Sequence, residues 1–135
     1  MSARWIGLVA ILVFAVGCDG RGKGAAPKVP AAPEGARVAK IVVLEQGECC
    51  ECTQARQEAT WENLQAALQG LEKRPVVDVI HFDAEPDVAQ PYQDMKPVMV
   101  SPVLYFLDGD GALVGALEGE LSREAITALL REPGA

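Results

Sequence analysis

The densest group of reactive side chains in this sequence is a run of three cysteines, Cys49, Cys50 and Cys52, within four positions. The run follows a short apolar segment and precedes a segment of strong helix formers. The N-terminus of a helix carries unpaired N–H groups and a partial positive charge, and both stabilise a thiolate relative to a thiol. The cluster therefore predicts chemistry that uses thiolates, either disulfide exchange or the binding of a soft metal ion.

The spacing within the run favours one pair of thiols. Cys49 and Cys52 stand three residues apart, so on the first turn of a helix both lie on one side and can form a disulfide or share a metal ion. Cys50 is the odd member, either an exposed thiol without a role or an accessory thiol that competes for Cys49 or Cys52. Adjacent cysteines bridge only with strain, which disfavours a Cys49–Cys50 disulfide.

Composition and charge exclude several classes of function. Half of the 135 residues are apolar, which is enough for the core of one folded domain. The formal net charge is −7, and this acidic balance argues against nucleic acid or an anionic membrane surface as the main partner. The four cysteines are too few for a fold built on disulfides, and their crowding favours reactive thiols.

The N-terminal part of the chain predicts export and a membrane tether. Residues 1–17 combine a positive start with an uncharged apolar run that is short for a membrane span, as is typical of a signal peptide. The run ends in a sequence that resembles a bacterial lipobox, which implies lipidation of Cys18. Asp19 follows this cysteine, and in enteric lipoproteins that resemblance implies retention at the inner membrane, on its periplasmic face. Residues 18–37 are rich in Gly, Ala and Pro and predict a flexible, disordered linker.

The remainder, residues 38–135, predicts one folded domain of alternating strands and helices. Periodicity and turn residues divide it into strand, helix, strand, helix, strand, strand and helix, at residues 40–44, 53–73, 76–82, 86–95, 101–107, 112–117 and 123–131. The first two strands are apolar runs typical of strands buried on both faces. In the second helix, Val88, Tyr92 and Met95 share one apolar face. Ser122 is placed to cap the last helix.

This order, with a Cys-x-x-Cys at the start of the first helix and a proline at the start of the third strand, resembles the thioredoxin family over about residues 38–131. The resemblance implies a single α/β domain whose central mixed sheet is flanked by helices. It also implies that the peptide bond before Pro102 is cis and lies against the dithiol. Ser101 would then offer backbone groups to an extended segment of a partner protein.

The same resemblance implies a membrane-tethered enzyme that exchanges disulfides with protein cysteines in the cell envelope. Cys49 would attack a partner disulfide, and Cys52 would resolve the mixed disulfide. The enzyme would be a monomer without a cofactor, acting on protein thiols or disulfides and drawing on an electron donor in the envelope. Glu48 and Glu51 disfavour a thiolate at Cys49 by like-charge repulsion, which favours the oxidised form and predicts a reductant.

The sequence departs from the thioredoxin pattern around the cysteines. Glu48 stands where thioredoxins usually carry Trp, Cys50-Glu51 stands where they carry Gly-Pro, and Val43 stands where they carry a buried acid. These departures leave a second hypothesis open, in which the domain mediates protein interaction without catalysis.

A third hypothesis is the binding and delivery of a soft metal such as copper by the cysteine cluster. His81 is the single histidine of the chain, and its place in a strand pattern predicts a structural or surface residue. The Cys and His spacing matches no structural zinc site, so no resident metal is predicted.

Overall fold

Seven elements of regular structure follow one another in the order predicted from the sequence. The computed structural model describes residues 37–132, and the predicted signal peptide, Cys18 and the linker up to residue 36 lie outside them. The elements are β1 (Lys40–Glu45), α1 (Glu51–Gln69), β2 (Val76–His81), α2 (Pro86–Met95), β3 (Val103–Leu107), β4 (Leu113–Glu118) and α3 (Arg123–Arg131).

The four strands form one mixed sheet in the order β2-β1-β3-β4. β1 pairs in parallel with β2 and antiparallel with β3, and β3 pairs antiparallel with β4. A parallel pair needs a crossover connection, which α1 supplies between β1 and β2. β3 and β4 are joined by a tight turn in which Gly111 has φ of 83°, a conformation that glycine adopts without steric cost. This single α/β domain is compatible with a thioredoxin-like fold.

Helices cover both faces of the sheet. Successive side chains of a strand point to opposite faces, so Ile41 and Val43 pack with α1 and α3, whereas Val42 and Leu44 pack with α2. All four side chains are at most 1% exposed. β1 is therefore buried on both faces, as its continuous apolar sequence predicted.

The second strand is an edge strand and not the buried strand that its sequence predicted. Only Ile80 of its six residues is buried, and Val76 and Val79 are 45% and 42% exposed. β-branched residues suit any pleated surface, so an apolar run alone does not separate a central strand from an edge.

Two helices differ from their predicted form. α1 begins two residues before the predicted start and ends at Gln69, where Gly70, a weak helix former, follows it. α2 has the predicted bounds, but it buries Ala89 and Tyr92, while Val88 and Met95 are 51% and 44% exposed.

The last helix is capped as predicted. The Ser122 side chain accepts a hydrogen bond from the Ala125 N–H at 3.2 Å, which satisfies one of the unpaired donors at the helix start. No helix within residues 37–132 is long and apolar enough to cross a membrane.

Replacing Phe106 with Ala should lower the free energy of unfolding by about 3–5 kcal/mol, because it empties a fully buried site between the sheet and the helices α1 and α3. Val79→Ala on the edge strand is the control and should cost less than about 1 kcal/mol. Chemical denaturation of both variants measures the difference. Equal losses would contradict the placement of the core.

Candidate active site

The start of α1 presents the three cysteines just after β1. The helix begins at Glu51, and Cys50 is its N-cap residue in extended backbone, with φ −70° and ψ 160°. Cys52 lies in the first turn of the helix, whereas Cys49 lies two residues before the first helical residue. The expectation that Cys49 and Cys52 share the first turn is therefore wrong, since Cys49 is not helical.

Cys50 and Cys52 are the thiols that the structure brings together. Their Sγ atoms lie 2.7 Å apart, and both residues are exposed. The Thr53 hydroxyl lies 3.4 Å from Cys50 Sγ. Hydrogen bonds from the Cys52 thiol and then from the Thr53 hydroxyl lower the pKa of Cys50 from its ordinary value of 9.0 to about 6. Cys50 is therefore mainly a thiolate at neutral pH.

Cys49 is half-buried and faces a different partner. Its thiol donates to Gln57 Oε1 at 3.5 Å, and among the described residues this is its one hydrogen bond. Burial raises the pKa of Cys49, and the negative charges of Cys50 and Asp83 raise it further. Cys49 is therefore a thiol at neutral pH.

The two glutamates that flank the cysteines in the sequence, Glu48 and Glu51, are not among the main causes of this shift. Glu48 and Glu51 are both exposed, so water and salt screen their charges. The causes of the raised pKa of Cys49 lie instead in burial and in neighbours that the fold brings to it, including Asp83 and Glu45.

Hydrogen bonds fix the segment between β1 and α1. The Asp83 carboxylate accepts from the backbone N–H groups of Glu48, at 2.9 Å, and Gly47, at 2.8 Å, and these bonds lower the pKa of Asp83. Gln57 Nε2 donates to the Gln46 carbonyl oxygen at 3.0 Å. The sequence carries no signal for the role of Asp83, because it lies 35 residues beyond Glu48 in the chain.

The loop before β3 lies against the same helix. The Ser101–Pro102 peptide bond is cis, as predicted, and Pro102 is buried. Ser101 Oγ lies 3.4 Å from Gln57 Nε2, and the Ser101 carbonyl oxygen accepts from Arg56 Nη1 at 3.1 Å. The Ser101 carbonyl oxygen therefore has a hydrogen-bond partner within the domain.

A second set of bonds holds the segment that leads to the cis proline. Glu118 on β4 accepts from Lys96 Nζ at 2.9 Å and from the Met99 N–H at 3.3 Å, and the bond from Lys96 lowers the pKa of Glu118. The Tyr105 hydroxyl donates to the Lys96 carbonyl oxygen at 2.6 Å. Met99 and Val100 remain 77% and 43% exposed, so an apolar surface is held in place beside the proline.

Helix α1 separates two cavities. The first has a volume of about 340 Å³ and includes Cys49, and the second has a volume of about 620 Å³ and includes Cys52. The α1 residues of the first are Gln54, Gln57, Glu58 and Trp61, and those of the second are Ala55, Arg56, Ala59, Thr60 and Asn63. At roughly 100° per residue, the centres of these two sets lie about 180° apart around the helix. The two cavities therefore lie on opposite flanks of α1.

The acid at the end of β1 is bound by two side chains from neighbouring elements. Glu45 at the end of β1 accepts from Trp61 Nε1 at 3.1 Å and pairs with His81 Nε2 at 3.0 Å. His81 is exposed, as predicted for a surface residue, and Val43 is 1% exposed in the core.

In the part of the chain that the structure describes, no three Cys, His, Asp or Glu side chains are grouped as ligands for a metal ion.

No protein-family model matches the chain, and no match is found among curated proteins. The arrangement of the thiols, the cis proline and the bonds around them is therefore the basis on which a function is inferred.

Alkylation of the cysteine run should follow a pKa near 6. The thiolate fraction of Cys50 rises with pH, so the rate of reaction with iodoacetamide should reach half of its plateau at about pH 6, whereas a cysteine with the ordinary pKa of 9.0 would do so near pH 9. The measurement uses the full chain with Cys18→Ser in detergent, across a pH series. Cys50→Ser is the control and should remove the step near pH 6. A single step near pH 9 that survives Cys50→Ser would contradict this assignment.

Proposed function

We propose that this chain is a thioredoxin-like thiol–disulfide oxidoreductase tethered to a membrane of the cell envelope. The observation that carries the proposal is the pair of exposed thiols whose Sγ atoms lie 2.7 Å apart at the start of α1. Disulfide exchange requires one accessible thiolate that attacks and a second thiol close enough to resolve the mixed disulfide. Two sulfur atoms at this separation need to move little to form a bond.

The protonation state of the cluster supports the same function. An attacking thiol is most effective when its pKa is near the ambient pH, because it is then deprotonated and still strongly nucleophilic. The pKa of Cys50, at about 6, is close to this range. Exposure of Cys50 at the helix N-terminus allows a partner disulfide to reach it.

The loop at the cis proline supports a protein as the substrate. Met99 and Val100 form an exposed apolar surface beside Ser101. Arg56 donates to the Ser101 carbonyl oxygen and so holds the loop against the thiol-bearing helix, and Glu118 on β4 accepts from the Met99 N–H. An extended segment of a partner protein that lies across this surface would bring its disulfide to the start of α1. The proposed substrates are therefore protein disulfides or thiols, with a second dithiol protein as the electron donor.

The proposed direction is reduction of the partner, and the reduction potential tests it. Like-charge repulsion of a thiolate by the neighbouring Glu48 and Glu51 predicts this direction, whereas the stabilised Cys50 thiolate opposes it because it favours the dithiol form. A reduction potential of about −270 mV supports a reductant, and one of about −120 mV contradicts it.

The site should accelerate the reduction of a protein disulfide. The full chain with Cys18→Ser is added to insulin and dithiothreitol, and precipitation of the freed insulin chain is followed by light scattering. Cys52→Ser should return the rate to that without the protein, because no thiol would then resolve the mixed disulfide. No acceleration by the parent protein would contradict the proposed function. Thiols that become protected from alkylation only when Cu(I) is added would favour metal binding instead.

The tether is proposed to be a lipid on Cys18, which lies outside the described residues. Cells that express the full chain and are fed labelled palmitate should incorporate the label, and Cys18→Ser should abolish the incorporation. Cys50→Ser is the matched control, since it also removes one cysteine but should leave the label unchanged. Label that persists in Cys18→Ser would contradict this tether.

A further inference from the structure

We propose that the exchanging pair is Cys50 and Cys52, with Cys50 as the attacking thiol, and that Cys49 is a third thiol kept out of the pair. The inference rests on the proposed function and assigns it to a Cys-x-Cys pair, in place of the Cys49–Cys52 pair that the spacing suggested. It rests on three geometric observations, namely the sulfur separation, the flank of α1 that each thiol faces, and the bonds that hold Cys49.

The first observation is the separation of the sulfur atoms. Cys50 Sγ and Cys52 Sγ lie 2.7 Å apart, and both residues are open to solvent. Cys50 is the N-cap residue, so its extended backbone brings its side chain back over the first turn, where Cys52 lies. A partner disulfide can reach Cys50, and Cys52 is in position to displace it.

The second observation is that Cys49 and Cys52 face opposite flanks of α1. Cys49 lines the cavity of about 340 Å³ with Gln57 and Trp61, and Cys52 lines the cavity of about 620 Å³ with Arg56 and Thr60. These two helix faces lie about 180° apart around the helix. A Cys49–Cys52 disulfide would require one of the thiols to leave its flank and cross the start of the helix.

The third observation is the set of bonds that hold Cys49 in place. Gln57 is only 8% exposed, and it accepts from the Cys49 thiol while it donates to the Gln46 carbonyl oxygen. Asp83 binds the N–H groups of the two residues directly before Cys49. Movement of the Cys49 thiol toward Cys52 would break its bond to Gln57, and the bonds from Gly47 and Glu48 to Asp83 limit how far the backbone before it can follow.

The exchange then proceeds in two balanced steps. The Cys50 thiolate attacks one sulfur of a partner disulfide, so the partner S–S bond breaks, a bond between Cys50 and the partner forms, and the second partner sulfur leaves as a thiolate. Cys52 gives up its proton, to this leaving sulfur or to water, and attacks Cys50 Sγ. The Cys50–Cys52 disulfide forms and the partner is released as a dithiol after it takes up protons. Two electrons have passed to the partner, and a dithiol donor protein restores the reduced pair.

The pKa values of the two adjacent thiols agree with these roles. Hydrogen bonds from Cys52 and Thr53 lower the pKa of Cys50, whereas burial and neighbouring negative charges raise the pKa of Cys49. Only a thiolate attacks a disulfide, so Cys50 is the reactive member at neutral pH.

Matched serine variants separate the two pairings. In the full chain with Cys18→Ser, the Cys49→Ser variant leaves only Cys50 and Cys52, and the Cys50→Ser variant leaves only Cys49 and Cys52. Serine is a strong N-cap residue, so Cys50→Ser preserves the start of α1, and circular dichroism checks that both variants fold. Each protein is incubated with glutathione disulfide, its free thiols are counted by mass after alkylation, and its rate of insulin reduction is measured.

We expect Cys49→Ser to form the disulfide and to retain the parent rate, and Cys50→Ser to form none and to fall to the background rate. A disulfide with the parent rate in Cys50→Ser overturns the assignment, whether or not Cys49→Ser also forms one. Failure of the proposed function gives a different result, in which the parent protein itself forms no disulfide and does not accelerate insulin reduction.

Discussion

Helix α1 begins at Glu51, and the chemistry of the site depends on this boundary. Gly47, Glu48 and Cys49 are not free to join the helix, because Asp83 binds the N–H groups of the first two and the buried Gln57 binds the Cys49 thiol. A helix that began earlier would place Cys49 above Cys52 on one face. A helix that begins here places Cys50 at the N-cap and brings its sulfur to Cys52.

The boundary also gives two adjacent residues opposite electrostatic surroundings. Cys50 receives hydrogen bonds from Cys52 and Thr53 in an exposed position, so its thiolate is stabilised. Cys49 is half-buried beside Asp83, so its thiol is stabilised. Both surroundings lie just beyond β1, and the burial of β1 on both faces fixes where the chain leaves the sheet. The protonation states of the two thiols are thus set by the hydrogen bonds, burial and charges that meet just beyond the end of β1.

Much of the fold could be predicted because local patterns determine it. The apolar run of β1, the turn at Gly111 and the cap at Ser122 are short-range signals. The edge position of β2 and the thiol pairing could not be predicted in the same way. The exposure of β2 depends on how many strands lie beside it in the sheet. The thiol pairing depends on Asp83, which folding brings to the start of α1. A spacing of three residues indicates a helical pair only if both residues are helical, and long-range bonds decide that.

The central claim is that two of the three thiols at the start of α1 form a reversible disulfide. The most direct measurement is a titration of the full chain with Cys18→Ser in buffers of varied glutathione ratio, with free thiols counted by intact mass after alkylation. We predict that two thiols disappear together as the buffer becomes oxidising, return when it is made reducing, and leave the third thiol free. Three free thiols at every ratio, without a disulfide at any potential, would contradict the claim.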